Sequence, residues 1–156
     1  EVAVPALVDA LNDEHWWVRA VVANVLGRLG NDAISAESAL MGVLDDEHWW
    51  VRRNAIESLG MIGVASDNFV ERLGKAVGDE DYRVRRNAAL ALSKIGETGV
   101  SAIPQLVVML DDENRYNRFY ATLALRRIGT PEAQEVLLDQ LFTSRWCPIT
   151  TKNNTF

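Results

Sequence analysis

The sequence predicts an all-α solenoid of about four 33-residue helix pairs plus one closing helix. The first observation behind this is internal repetition, which has to be sought before any motif. The segment Asp13-Glu14-His15-Trp16-Trp17-Val18-Arg19 returns as Asp46-Glu47-His48-Trp49-Trp50-Val51-Arg52. Drifted copies follow at Asp79 to Arg85 and at Asp112 to Arg118, each step being 33 residues. The same step links Gly30, Gly63, Gly96 and Gly129, then Leu26, Leu59, Leu92 and Leu125, then Leu7, Leu40, Leu73 and Leu106. The second observation is that the apolar residues of each copy recur at helical spacing. The third is that no strand pattern interrupts the copies. One helix pair cannot bury its apolar face alone, so neighbouring pairs must stack.

Each element of the unit has a local reason. Val4, Leu7, Val8 and Leu11 form one apolar stripe and predict the shorter first helix. Asp13 lies between the stripes and is the expected N-cap of the second helix. Val18, Val22, Val25, Leu26 and Leu29 form the second stripe, and Gly30 ends it. The units run over 1–30, 31–63, 64–96 and 97–129. Thr130 and Pro131 open a last helix as N-cap and first-turn proline, carrying Leu137, Leu138 and Leu141. The repeat domain is thus 1–142. The tail, 143–156, breaks the pattern and has two readings. Phe142, Trp146, Ile149 and Phe156 fold back as a cap, or the end is partly ordered.

Composition bounds the function. A chain of 156 residues forms one compact domain with a real core. With 48% hydrophobic and 24% charged residues it is not a disordered chain. No apolar run approaches the roughly 18–20 residues of a membrane span. The single cysteine, Cys147, excludes an internal disulfide and a cysteine-based zinc site, and no histidine lies near it to activate it. A net charge of −6 argues against dedicated nucleic-acid binding. The first residues do not read as a secretory signal, so the expected location is cytoplasmic. Asn153-Asn154-Thr155 matches a glycosylation sequon, a match that chance supplies readily. The chain begins inside a structural unit, as a mature form or a fragment does.

The pattern Asp-x-x-x-x-Val-Arg-x-x-Ala-x-x-x-Leu-Gly-x-Ile-Gly is similar to the HEAT-like repeat of phycobilisome-lyase type. The second unit carries it throughout, in Asp46, Val51, Arg52, Ala55, Leu59, Gly60, Ile62 and Gly63. The third has Ser93 for the first glycine, and the first has Val22 for alanine and Leu29 for isoleucine. The fourth has Asn117 for valine and Arg126 for the first glycine. The resemblance covers about residues 1–142 and implies a right-handed superhelix. It also implies that the recurring Asp and Arg residues form a ladder between adjacent repeats, a scaffold role rather than a row of anion sites.

The positions that vary between copies carry the functional reading. Repeat positions 17, 20, 21, 24 and 28 share one strip of the second helix. In the family that strip lines the concave surface. The candidate binding residues on it are Trp17, Trp50, Arg53, Asn54, Arg83, Arg86, Asn87, Tyr116, Phe119, Tyr120 and Arg127. Trp, Tyr and Arg are enriched at binding hot spots. Trp16 and Trp49, one position earlier, are expected to pack between repeats. Glu14-His15 and Glu47-His48 resemble, in reversed order, the iron-binding His-Glu pairs of deoxyhypusine hydroxylase. Stacked helices lie roughly 8–10 Å apart, too far for His15 and His48 to share one ion. They read as solvated turn residues, and no metal, cofactor or catalytic group is expected.

Three functions follow. The leading one is a non-catalytic interaction scaffold that takes a protein or peptide of acidic and apolar character on the aromatic and arginine strip. The resemblance implies an alternative, a phycobilin lyase subunit or phycobiliprotein assembly factor, with Arg83, Arg86, Tyr116 and Tyr120 meeting the bilin. A third, resembling the HEAT-like DNA glycosylases, is opposed by the acidic charge.

Overall fold

In a computed structural model, residues 3–143 are described, and they are helical with short connections. The proposed tail cap, Cys147 and the sequon lie outside the described residues. Among the described residues, nine α-helices follow in order: α1 (Ala3–Ala10), α2 (Trp16–Leu29), α3 (Glu37–Gly42), α4 (Trp49–Ile62), α5 (Asp67–Ala76), α6 (Tyr82–Ile95), α7 (Ile103–Met109), α8 (Arg115–Ile128) and α9 (Pro131–Thr143). The second helix of every repeat is 14 residues long. The chain divides into two compact units, residues 1–69 and 70–156, so that the boundary falls within α5.

The predicted stripes become the core. Leu26, Leu59, Leu92 and Leu125, one per repeat, are fully buried, as are Leu40, Leu73 and Leu106. Each such leucine contributes roughly 1.5–3 kcal/mol of transfer free energy. In the first unit α2 packs along α4, and in the second α6 packs along α8. The four repeat glycines all sit at positive φ, which only glycine adopts without strain. Their exits differ in kind. Gly63 and Gly129 are left-handed caps, whereas Gly30 and Gly96 lead into seven-residue 3₁₀ segments, Gly30–Ala36 and Gly96–Ala102. In α9 the backbone N–H of Ala133 donates to Thr130 Oγ1 at 3.4 Å, which makes Thr130 the expected cap.

The turn before each second helix corrects one expectation. Asp13 is not the N-cap. Its carboxylate accepts from the backbone N–H of His15 at 2.8 Å, and Asp46, Asp79 and Asp112 do the same two residues ahead. The cap lies two positions later. Asp81 accepts from the N–H of Arg83 at 2.8 Å, Asn114 from Tyr116 at 2.9 Å, and His48 Nδ1 from Trp50 at 3.3 Å. His15 occupies the same position without a side-chain cap bond. The aspartate therefore shapes the turn and leaves the capping position to the residue two places on.

The recurrent arginine locks the same turn. Arg19, Arg52, Arg85 and Arg118 each donate through Nη1 to the carbonyls five and six residues before them. Within the first unit Arg19 also bridges to Asp46 of the next repeat, and within the second Arg85 bridges to Asp112. These are rungs of the inter-repeat ladder that the family resemblance implies.

Candidate functional site

The first two turns of α2 and α4 carry paired aromatics at repeat positions 16 and 17. Trp16, Trp17, Ala20, Val21, Asn24, Trp50, Arg53 and Asn54 line one open cleft of about 310 Å³ in the first unit. Four of the predicted strip residues, Trp17, Trp50, Arg53 and Asn54, are thus brought together.

Trp16 is a residue that sequence reasoning set aside, and it lines the same cleft. Its ring stacks on His48 of the next repeat, with centroids 3.9 Å apart and planes 7° from parallel. The expected packing between repeats is real, yet the stacked indole also forms a wall of the cleft, 5.7 Å from the Trp50 ring. His48 is correspondingly no simple solvated turn residue, because it caps α4 and supports Trp16. Trp17 is 56% exposed, an unusual setting for so large an apolar side chain.

Polar groups fix the cleft floor. Asn54 is only 5% exposed, and its Nδ2 donates to the Ala20 carbonyl at 3.2 Å, tying α4 to α2. Arg53 donates to Asn54 Oδ1 at 3.0 Å and pairs with Glu57 at 3.0 Å. Its charge is therefore compensated within its own helix. Asn54 acts as a brace as much as a displayed contact.

The remaining predicted residues lie in the second unit on α6 and α8. Arg83 is drawn back to the turn, pairing with Asp81 at 3.4 Å and lying over the Tyr82 ring at 4.8 Å. Arg86 is half-buried and Asn87 is 8% exposed, so Asn87 belongs to the helix packing rather than to a displayed strip. On α8, Tyr116 and Phe119 are exposed, and Phe119 meets Tyr120 edge-on at 5.3 Å. Arg115 donates to the Tyr116 hydroxyl at 2.9 Å and holds that phenol below its ordinary range. Arg127 is exposed on the last turn of α8.

The two Glu-His pairs stay apart in role. His15 Nδ1 lies 3.2 Å from Asp13 and 3.6 Å from Glu14, at an exposed turn. Among the described residues no group of three or more His, Cys, Asp or Glu side chains could hold a metal ion.

Comparison with known proteins places the fold. A search of curated proteins finds no match to this sequence. Among solved structures, an engineered protein superposes with a TM-score of 0.72 at 23% identity, covering 94% of this chain and 74% of its own. The complex of CpcE and CpcF of phycocyanin lyase from Nostoc sp. PCC7120 gives 0.65 at 21% identity, covering 91% and 90%. A designed armadillo repeat protein in complex with the peptide (KR)4 gives 0.68 at 21%, covering 87% and 69%. These likenesses set the all-α solenoid class that the 33-residue step predicts. The HEAT repeats profile matches residues 4–75 and 70–146, nearly the whole chain, and the chain belongs to that family.

Proposed function

We propose that this chain is a non-catalytic binding module that takes a protein or peptide partner on the exposed strip of its second helices, anchored in the cleft between α2 and α4. The observation that carries the reading is that cleft. Three tryptophans, with Val21 and Ala20, surround an open space whose polar floor is already satisfied. Exposed indole is costly in water and is recovered only by burial against another surface. A cleft of about 310 Å³ has room for one or two apolar side chains and lies at the lower end of the range of small-ligand sites. The complex of the designed armadillo neighbour with the peptide (KR)4 supports the idea that a solenoid of this class can hold a peptide.

Selection of a random peptide library on the immobilised chain tests this. Enriched peptides should share an apolar or aromatic anchor and lose affinity about tenfold or more with Trp50→Ala. A library that yields nothing, or peptides held equally by a Trp17→Ala/Trp50→Ala variant, removes the cleft as the site.

The likeness to the CpcE and CpcF complex brings a second reading, a bilin lyase subunit or assembly factor. Arg83 and Arg86 on α6, with Tyr116 and Tyr120 on α8, supply the cationic and ring chemistry that propionates and an extended π system call for. A bilin titration with no absorbance change at stoichiometric protein ends this reading.

A further inference from the structure

In a stack of helix pairs, each second helix turns one side to the pair before it and another to the pair after it. The hydrogen bonds identify the backward side by register. In the first unit, Asn54 donates to the Ala20 carbonyl and Ser58 to the Ala23 carbonyl at 2.7 Å, and Ile62 is buried in the same row. The row 54, 58, 62 of α4 therefore lies on α2. In the second unit α8 packs along α6, and the equivalent row of α8 is Tyr120, Ala124 and Ile128, with Ala124 and Ile128 buried.

One repeat earlier the same row on α2 is Val21, Val25 and Leu29. All three are exposed, at 54%, 37% and 39%. No charged residue lies between positions 20 and 27 of that helix. Leu7 of α1 is likewise half-buried where Leu40, Leu73 and Leu106 are fully buried. A terminal repeat of a solenoid carries a polar outer face, and this face is apolar in the interior register. The forward row of α8 has the opposite character. On α2 that row is Ala20, Ala23 and Gly27, which admit α4 closely, whereas on α8 it is Phe119, Thr122 and Arg126. Arg126 stands where close approach needs glycine, so α8 does not repeat the surface that α2 offers to α4.

We propose that the α1/α2 face is a stacking interface in the interior register, and that its occupant is a further helix pair of this same repeat, one whose second helix presents small residues where α2 has Ala20, Ala23 and Gly27. The test compares the chain with an extended chain carrying a copy of its own residues 1–33 ahead of Glu1. That copy brings Ala20, Ala23 and Gly27, the surface already seen to receive a following helix. Thermal unfolding and sedimentation are measured for both, with and without Val25→Glu at the original position. The expected result is a higher midpoint for the extended chain, and a drop of at least about 5 °C on Val25→Glu in that chain alone. In the 156-residue chain, the same substitution shifts the midpoint by no more than about 2 °C. Val25→Ser, the residue that α4 carries in this row, is milder in the extended chain and keeps the comparison readable if the glutamate variant fails to fold. Equal effects of Val25→Glu in both chains overturn the proposal. So does a dimer of the 156-residue chain that Val25→Glu dissociates, since a second copy then covers the face.

Discussion

Arg19 of α2 reaches Asp46, 27 residues further along the chain, through two parallel hydrogen bonds, Nε to Oδ2 at 2.6 Å and Nη2 to Oδ1 at 2.9 Å. Both side chains are largely buried, and the same aspartate accepts the N–H of His48. One carboxylate thus shapes the turn of its own repeat and anchors the arginine of the repeat before it. Removing the arginine leaves a buried charge without its counter-ion. Arg19→Met should cost about 3 kcal/mol in urea unfolding, and Arg19→Met/Asp46→Asn distinctly less, since the amide oxygen still accepts the His48 N–H without a buried charge. Equal losses in the single and double variants would show that the ion pair is not the cause.

The same pair sets an acid limit. Burial pushes the Asp46 carboxyl up, but the hydrogen bonds from Arg19 and from the His48 N–H outweigh it and hold it below the ordinary carboxylate range. A carboxyl lowered by folding stabilises the folded state at pH values above its unfolded pKa, near 3.9. That contribution is lost as pH falls through the lower folded value. Thermal midpoints should therefore fall more steeply below about pH 4 in the native chain than in Arg19→Met.

Gly27 and Gly60 occupy the same repeat position. The structure places each inside its helix, α2 or α4. A Cβ on Gly27 would meet the Ser58 backbone and side chain at 2.6–2.7 Å, while one on Gly60 meets nothing within 4 Å. Gly27→Ala should destabilise by roughly 1–3 kcal/mol through forced separation of the helices. Gly60→Ala should stabilise by about 0.5–1 kcal/mol through helix propensity. Chemical denaturation of the two variants reads the opposite signs directly.

The N-cap series offers a gain rather than a loss. Asn114 and Asp81 accept a backbone N–H, and His15 in the same place does not. His15→Asn should therefore add about 0.5–1 kcal/mol, and Asn114→Ala should remove about 1 kcal/mol. No change for either substitution would mean that the Asp13-type turn alone orders the helix start.

Arg53 shows why a strip residue cannot be judged from its type. Its pair with Glu57 holds the guanidinium along α4. Glu57→Gln should release it, so an acidic peptide that engages the cleft should bind the variant more tightly and with greater salt dependence. Affinities at two salt concentrations decide the matter, and unchanged values would place Arg53 outside the contact.

The 33-residue step determines the helix pairs, their glycine stops and the fully buried leucines, because these are local patterns repeated in register. It also marks Trp17, Trp50, Arg53 and Asn54 as neighbours on one strip. Tertiary structure decides what periodicity leaves equivalent. Asn54 and Asn87 fall into helix packing, Trp16 becomes a wall of the cleft, and Gly27 is pressed while Gly60 is free. The N-cap position moves from Asp13 to His15, which makes no side-chain cap bond, because the carboxylate is taken by the turn. Val21, Val25 and Leu29 carry the same apolar signal as buried residues and stand exposed. A sequence records which faces are apolar, and only packing shows whether a neighbour is there to cover them.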